Sequence, residues 1–297
     1  MSDVYAPHQI FLAPARARAE LWRLAIGILM GAAIFIGLQS ASVAIVNVLL
    51  PPDDLMTLET EMALGNTQMG GVLLLGRFIL LIIALAAVVH QLHGRNPLTL
   101  LGPLPLAKTQ FLRVLAAVSA LLVVIWILPP SETIFPISPN VPFFDWLRFL
   151  PLALIALLIQ VGAEELLLRG YLQQQLGARF RHPLVWMVLP SILFGLLHYQ
   201  PDMPSIAWVS VGWATIFGLV AADLTARSGT LGPAIALHLA NNAVAILFVS
   251  SEDFLTGLAL YRMPVALDDP AQLWPYLLID LAIMAVSWLV ARLALRC

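Results

Sequence analysis

Apolar runs of about 18–25 residues recur from Leu21 to the C-terminal end of this chain, and each is long enough to cross a bilayer as a helix. Eight can be read: Leu21–Leu50, Gly70–Val89, Phe111–Leu128, Phe143–Ala163 continuing helical towards Gly177, Leu184–His198, Ser205–Leu224, Leu231–Val249 and Leu273–Leu295. Charged residues make up 11% of the chain, under half of the roughly 25% usual for a soluble domain. The expected fold is therefore all-α, a polytopic transmembrane bundle of about eight spans. Proline-rich punctuation falls between several spans, at Pro51-Pro52, at Pro103 and Pro105, and from Pro129-Pro130 to Pro142. Residues 1–20 read as a polar N-terminal tail and residues 21–297 as one transmembrane domain with its chemistry at about 143–250. There is no internal repeat and no second, soluble domain.

Arg16, Arg18 and Arg23 before the first run, with Ser40-Ala41-Ser42 inside it, have the look of a secretory signal. The apolar character continues to Leu50, too long for the 7–15-residue core of a cleaved signal, so an uncleaved anchor is expected. Threading eight spans puts Arg16, Arg18, Arg23, Arg95, Lys108, Arg113, Arg179, Arg181, Arg227, Arg292 and Arg296 on one side. That is eleven of the fifteen basic residues. The positive-inside rule then predicts both termini in the cytoplasm. Asp53, Asp54, Glu59, Glu61, Glu132, Asp145, Asp202, Glu252, Asp253, Asp268 and Asp269 fall on the other side. With a net charge of −2 and no dense basic cluster, nothing points to nucleic acid. The single cysteine, Cys297, rules out an internal disulfide or a cysteine metal cage. As the last residue, it is not placed for prenylation either.

Against this background Glu164-Glu165-Leu166-Leu167-Leu168-Arg169 stands out, since ionised groups at the centre of a membrane helix cost about 2.5–3.5 kcal/mol each. Glu165 and Arg169 are one helical turn apart in the favourable order, whereas Glu164 points about 100° away. The expectation is an internal Glu165–Arg169 ion pair, with Glu164 left free for catalysis. Two further pairs lie one turn apart in later runs, Phe194 with His198 and His238 with Asn242. Singly, a membrane histidine or asparagine reads more naturally as interhelical glue. A hairpin turning near residue 180 brings Glu164 and His198 to a common height, while plain hydropathy puts them at opposite ends of their spans.

Together, Glu164-Glu165-x-x-x-Arg169, Phe194-x-x-x-His198 and His238-x-x-x-Asn242 resemble the signature of the CPBP family. That family holds the CAAX prenyl endopeptidases of the Ras-converting type and bacterial relatives linked to bacteriocin processing and self-immunity. The resemblance covers about residues 143–250 and implies peptide-bond hydrolysis in the membrane. It assigns Glu164 as general base, His198 as holder of the same water, and His238 with Asn242 as oxyanion donors. Glu165 and Arg169 are supporting residues. No cofactor is favoured. A zinc version would use Glu164, His198 and His238 as ligands, although His-Glu-x-x-His is absent. The rival class is a transporter or membrane-bound binding protein using the same polar cluster. The implied partners are the lipid bilayer and a membrane-associated peptide or protein, in what reads as a bacterial plasma (inner) membrane.

Overall fold

The computed structural model describes residues 3–128, 136–201, 203–204, 206–251, 255–263 and 270–297. Several of the acidic loop positions (Glu132, Asp202, Glu252, Asp253, Asp268, Asp269) lie outside them.

The chain is an all-α polytopic bundle. A short helix α1 (His8–Leu12) is followed by α2 (Leu21–Leu49), α3 (Pro52–Leu64), α4 (Gln68–Gly76), α5 (Ile79–Gln91) and α6 (Leu104–Ile127). Then come α7 (Phe143–Glu165), α8 (Gln174–Arg179), α9 (Leu189–Leu196), α10 (Ala207–Ser228), α11 (Gly232–Asn242) and α12 (Pro270–Leu295). Among the described residues, six helices are long and apolar enough to cross a membrane: Leu21–Leu49, Gln68–Gln91, Leu104–Ile127, Phe143–Arg179, Ala207–Ser228 and Trp274–Leu295. The other two expected runs are helical but short, Leu184–Leu196 and Gly232–Phe248. At 1.5 Å per residue they reach about 20 and 25 Å, less than a hydrocarbon core of about 30 Å.

That shortness has a structural counterpart. From Gly232 to Ala240 every residue of α11 is buried, His238 included. A helix apolar nearly all round belongs inside a bundle, and α11 packs on α6, α7, α10 and α12. Beside it, α9 and α10 come together through glycines. A Cβ on Gly195 would fall 2.5 Å from the Val211 carbonyl oxygen, and one on Gly218 would fall 2.9 Å from Ser191 Cβ. Larger residues there would push apart the two helices that carry His198 and flank His238.

Two elements were not visible in the hydropathy. The acidic stretch after the first span is α3, which ends on Gly65 in the left-handed region (φ 60°). A small sheet joins β1 (Ser138–Pro139), β2 (Val249–Ser251) and β3 (Tyr261–Met263) in the order β1-β3-β2. In it β1 runs antiparallel and β2 parallel to β3. Trp146 Nε1 donates to the Leu247 carbonyl at 2.8 Å, tying the start of α7 to the segment that leads from α11 into β2.

The N-terminal segment departs from expectation. Rather than a loose polar tail, residues 3–18 are helical turns in which His8, Phe11, Leu12 and Ala15 are buried. Tyr5 donates to Asp223 on α10 at 2.7 Å. Gln174 Nε2 donates to the Phe11 carbonyl at 2.7 Å. A few apolar residues among prolines and arginines are enough once a complementary surface is present.

Candidate active site

Two of the three motifs sit where their helix changes pitch. After Glu165 the backbone of α7 widens into a π-helix over Leu166–Gln173 before resuming as α8. A second π-helix, Leu184–Val188, leads into α9. A third, Ala243–Phe248, begins directly after Asn242. π-Helical turns are rare and concentrate at functional sites, and two of them adjoin one cluster here. Their sequence signal is nil, because a widened turn costs little when neighbouring helices hold it.

Glu165 lies at the centre and is fully buried. Its Oε1 accepts from Arg169 Nη1 at 2.8 Å and from His238 Nδ1 at 2.8 Å. Arg169 is 1% exposed, and its guanidinium carbon lies 4.6 Å from the centre of the Phe194 ring. Because Nδ1–H of His238 donates to a carboxylate, Nε2 is the nitrogen that faces outward, 3.7 Å from Glu164 Oε2. That Glu164 oxygen is buried and makes no hydrogen bond within the protein.

His198 follows the same pattern. Its Nδ1 lies 2.8 Å from the Phe194 carbonyl, which can only accept, so Nδ1 carries the proton and Nε2 is left available. Phe194 is the shared wall. Its ring stands 4.6 Å from that of His198 and 6.0 Å from that of His238, edge-on to both. Phe217 packs beside it, 4.7 Å from His238 and 6.1 Å from Phe194. Asn242 sits a turn beyond His238, and its Nδ2 is 3.5 Å from Gln160 Oε1.

The structure thus brings Glu164, Glu165, Arg169 and His238 into one contact group, with His198 joined to it through Phe194 and Asn242 one turn along α11 from His238. Sequence reasoning missed the bond from His238 to Glu165, because it spans 73 positions. It also missed Phe194 as the common wall and Gln160 as partner of Asn242. The spacing of Phe194 and His198 did contain the first of these. Tyr171, two residues past Arg169, is 1% exposed. Its hydroxyl is 2.9 Å from His93 Nε2, and Gly27 leaves it room: a Cβ there would overlap the hydroxyl at 2.0 Å.

The zinc ligand set can be tested on the same geometry. Among the described residues, no three His, Cys, Asp or Glu side chains converge closely enough to hold a metal ion. Glu164, His198 and His238 are therefore not a ready ligand set in this arrangement.

A polytopic helical membrane protein with a carboxylate pair, an arginine and two imidazoles buried among apolar helices is the class this geometry defines. Residues 145–244 match the sequence model of the family described as Rce1-like, type II CAAX prenyl endopeptidase. The matched segment runs from the first turn of α7 to just past Asn242, so it contains every residue of the cluster. The family resemblance read from the three motifs is shown for this third of the chain. The uncharacterized protein YyaK of Bacillus subtilis (strain 168) is 35% identical over 120 residues, covering 40% of this chain and 39% of that protein. The chain thus spans about two fifths of the length of that curated relative. No solved structure matches.

Proposed function

We propose that this integral membrane protein is an endopeptidase that hydrolyses a peptide bond in a membrane-associated protein or peptide, as in CAAX-type or bacteriocin-type processing. One observation carries the reading. A buried carboxylate, Glu165, fixes the His238 ring so that Nε2 faces a second carboxylate, Glu164, at 3.7 Å, and that Glu164 oxygen makes no hydrogen bond within the protein.

The chemistry follows from those roles. Glu164 removes a proton from water, with His198 Nε2 orienting that water as acceptor. The hydroxide oxygen forms the new C–O bond to the scissile carbonyl carbon. The carbonyl oxygen gains the negative charge and is met by Asn242 Nδ2 and by the His238 ring in its protonated form. Glu165 stabilises that imidazolium through Nδ1–H and is itself balanced by Arg169. One oxyanion donor is typically worth about 3–4 kcal/mol of barrier. The proton held by Glu164 then passes to the departing nitrogen as the C–N bond breaks. Basic loops on one side fit a bacterial plasma membrane with both termini cytoplasmic.

The test compares membranes of cells carrying wild-type protein with those carrying Glu164→Gln, His198→Ala or His238→Ala, by proteomics of peptide termini. A precursor that accumulates in all three variants is the expected result. Cleavage that survives all three defeats the assignment.

A further inference from the structure

Apart from the Glu164 cluster, the N-terminal segment and the turn between α8 and the helix leading into α9 form an open cavity of about 560 Å³. That lies within the range of about 300–1,000 Å³ of small-molecule sites. Its walls include His8, Gln9, Arg16, Arg179, Arg181 and Trp186. No aspartate or glutamate lines it, and among the described residues none of the three arginines is in an ion pair. Arg16 makes its side-chain hydrogen bond to the neutral Gln9. The two walls are held close at Gly177, where a Cβ would lie 2.8 Å from Leu12 Cδ2 and 3.2 Å from His8 Cε1.

Three exposed guanidinium groups without an acidic partner on one cavity give it the charge to hold an anion. A second observation points the same way. His8 is fully buried against Trp186, with ring centres 4.4 Å apart, and its Nδ1 has no hydrogen-bond partner. Guanidinium forks suit the several oxygens of a phosphate better than a single acceptor. Arg16 precedes the first span and Arg179 ends the span that carries Glu164, so the cavity sits where two apolar helices stop.

We propose that this cavity binds a phosphate ester, with Arg16, Arg179 and Arg181 as its cationic ligands and the buried His8 in its wall. Such a group is available from two sources, the headgroup of an anionic phospholipid or a soluble phosphate ester. Occupancy would clamp the N-terminal segment onto the helix that carries the Glu164 motif.

Hydrogen exchange of residues 3–18 in the full-length protein reads that clamp. Three conditions are compared at one pH: phosphatidylcholine nanodiscs, the same nanodiscs containing phosphatidic acid, and detergent with glycerol 3-phosphate. Exchange is expected to slow at least about tenfold with phosphatidic acid, as for a ligand near ten times its dissociation constant. The same slowing with glycerol 3-phosphate assigns the site to soluble esters as well, and slowing with phosphatidic acid alone assigns it to lipid. R179Q/R181Q should lose the response, while R113Q, an exposed basic residue away from the cavity, should keep it. Equal exchange in all three conditions, or an undiminished response in R179Q/R181Q, overturns the proposal.

Discussion

His238 Nδ1 and Arg169 Nη1 both donate to a single oxygen, Oε1 of Glu165, each at 2.8 Å. The ion pair expected from spacing on one helix is thus also the anchor of an imidazole from another. Burial of charge is tolerable when every partner is in place and becomes costly when one is removed. Glu165 is thus held twice through Oε1, while its Oε2, like Glu164 Oε2, is buried without a hydrogen bond in the protein.

Glu165→Gln removes the negative charge from between two donors. Breaking a buried pair typically costs about 3–5 kcal/mol, so a fall in unfolding free energy of that order is expected in denaturant titration. Cleavage should fall as well, because His238 is no longer held. E165L/R169M removes both charges and should regain much of the stability without regaining activity.

Glu164→Gln should separate chemistry from stability. Glu164 Oε2 has no hydrogen bond in the protein, so the unfolding free energy should change by less than about 1 kcal/mol. Cleavage should drop by at least about 100-fold, the scale at which a positioned base contributes. A variant that unfolds readily yet still cleaves would reverse the two glutamates' roles.

Exhaustive chelation is expected to leave cleavage unchanged, since the proposed base is a carboxylate. Complete loss that zinc restores would replace that base with a metal-bound water.

Asp223 joins three parts of the chain. It accepts from Tyr5 at 2.7 Å, from Arg227 Nε at 2.8 and 2.7 Å, and from Trp288 Nε1 at 2.9 Å. Hydrogen bonds to a charged group are worth about 1.5–3 kcal/mol. Asp223→Ala should therefore destabilise by about 2–4 kcal/mol and speed hydrogen exchange in both the N-terminal segment and the last helix. Exchange confined to one of them would show that the two are not clamped together.

Docking of the N-terminal segment should weaken in acid. Burial pushes His8 down from 6.5 to about 4, so the docked state favours the neutral ring. Docking is at full strength above pH 6.5, falls as pH drops towards 4, and levels off below that. The loss approaches about 3 kcal/mol at 1.36 kcal/mol per unit. Limited proteolysis between residues 3 and 18 across this window measures it. His8→Phe should make the profile flat.

Much of the architecture was legible because lipid imposes a one-dimensional rule: a spanning helix must be apolar for its whole length. All eight runs are helical, and the N-terminal run is one unbroken helix from Leu21 to Leu49. The rule fails where a helix is buried in protein rather than lipid. Gly232–Phe248 is apolar because its α11 part lies among other helices, buried from Gly232 to Ala240, which hydropathy does not distinguish from a membrane. Leu184–Leu196 is short yet keeps Leu184, Leu189, Ile192, Leu193 and Leu196 exposed. Hydropathy also overlooks docking by a few residues, as Tyr5, His8 and Phe11 do among prolines and arginines.

By itself, the sequence determined the fold class, the helix-internal pair of Glu165 with Arg169, and the residues of the three motifs, since these depend on apolar length and on spacing along one helix. Tertiary structure alone decided that His238 leans on Glu165, that Phe194 lies against both imidazoles, and that π-turns follow Glu165 and Asn242. Those relations join residues tens of positions apart, and no local periodicity records which helix a side chain will meet.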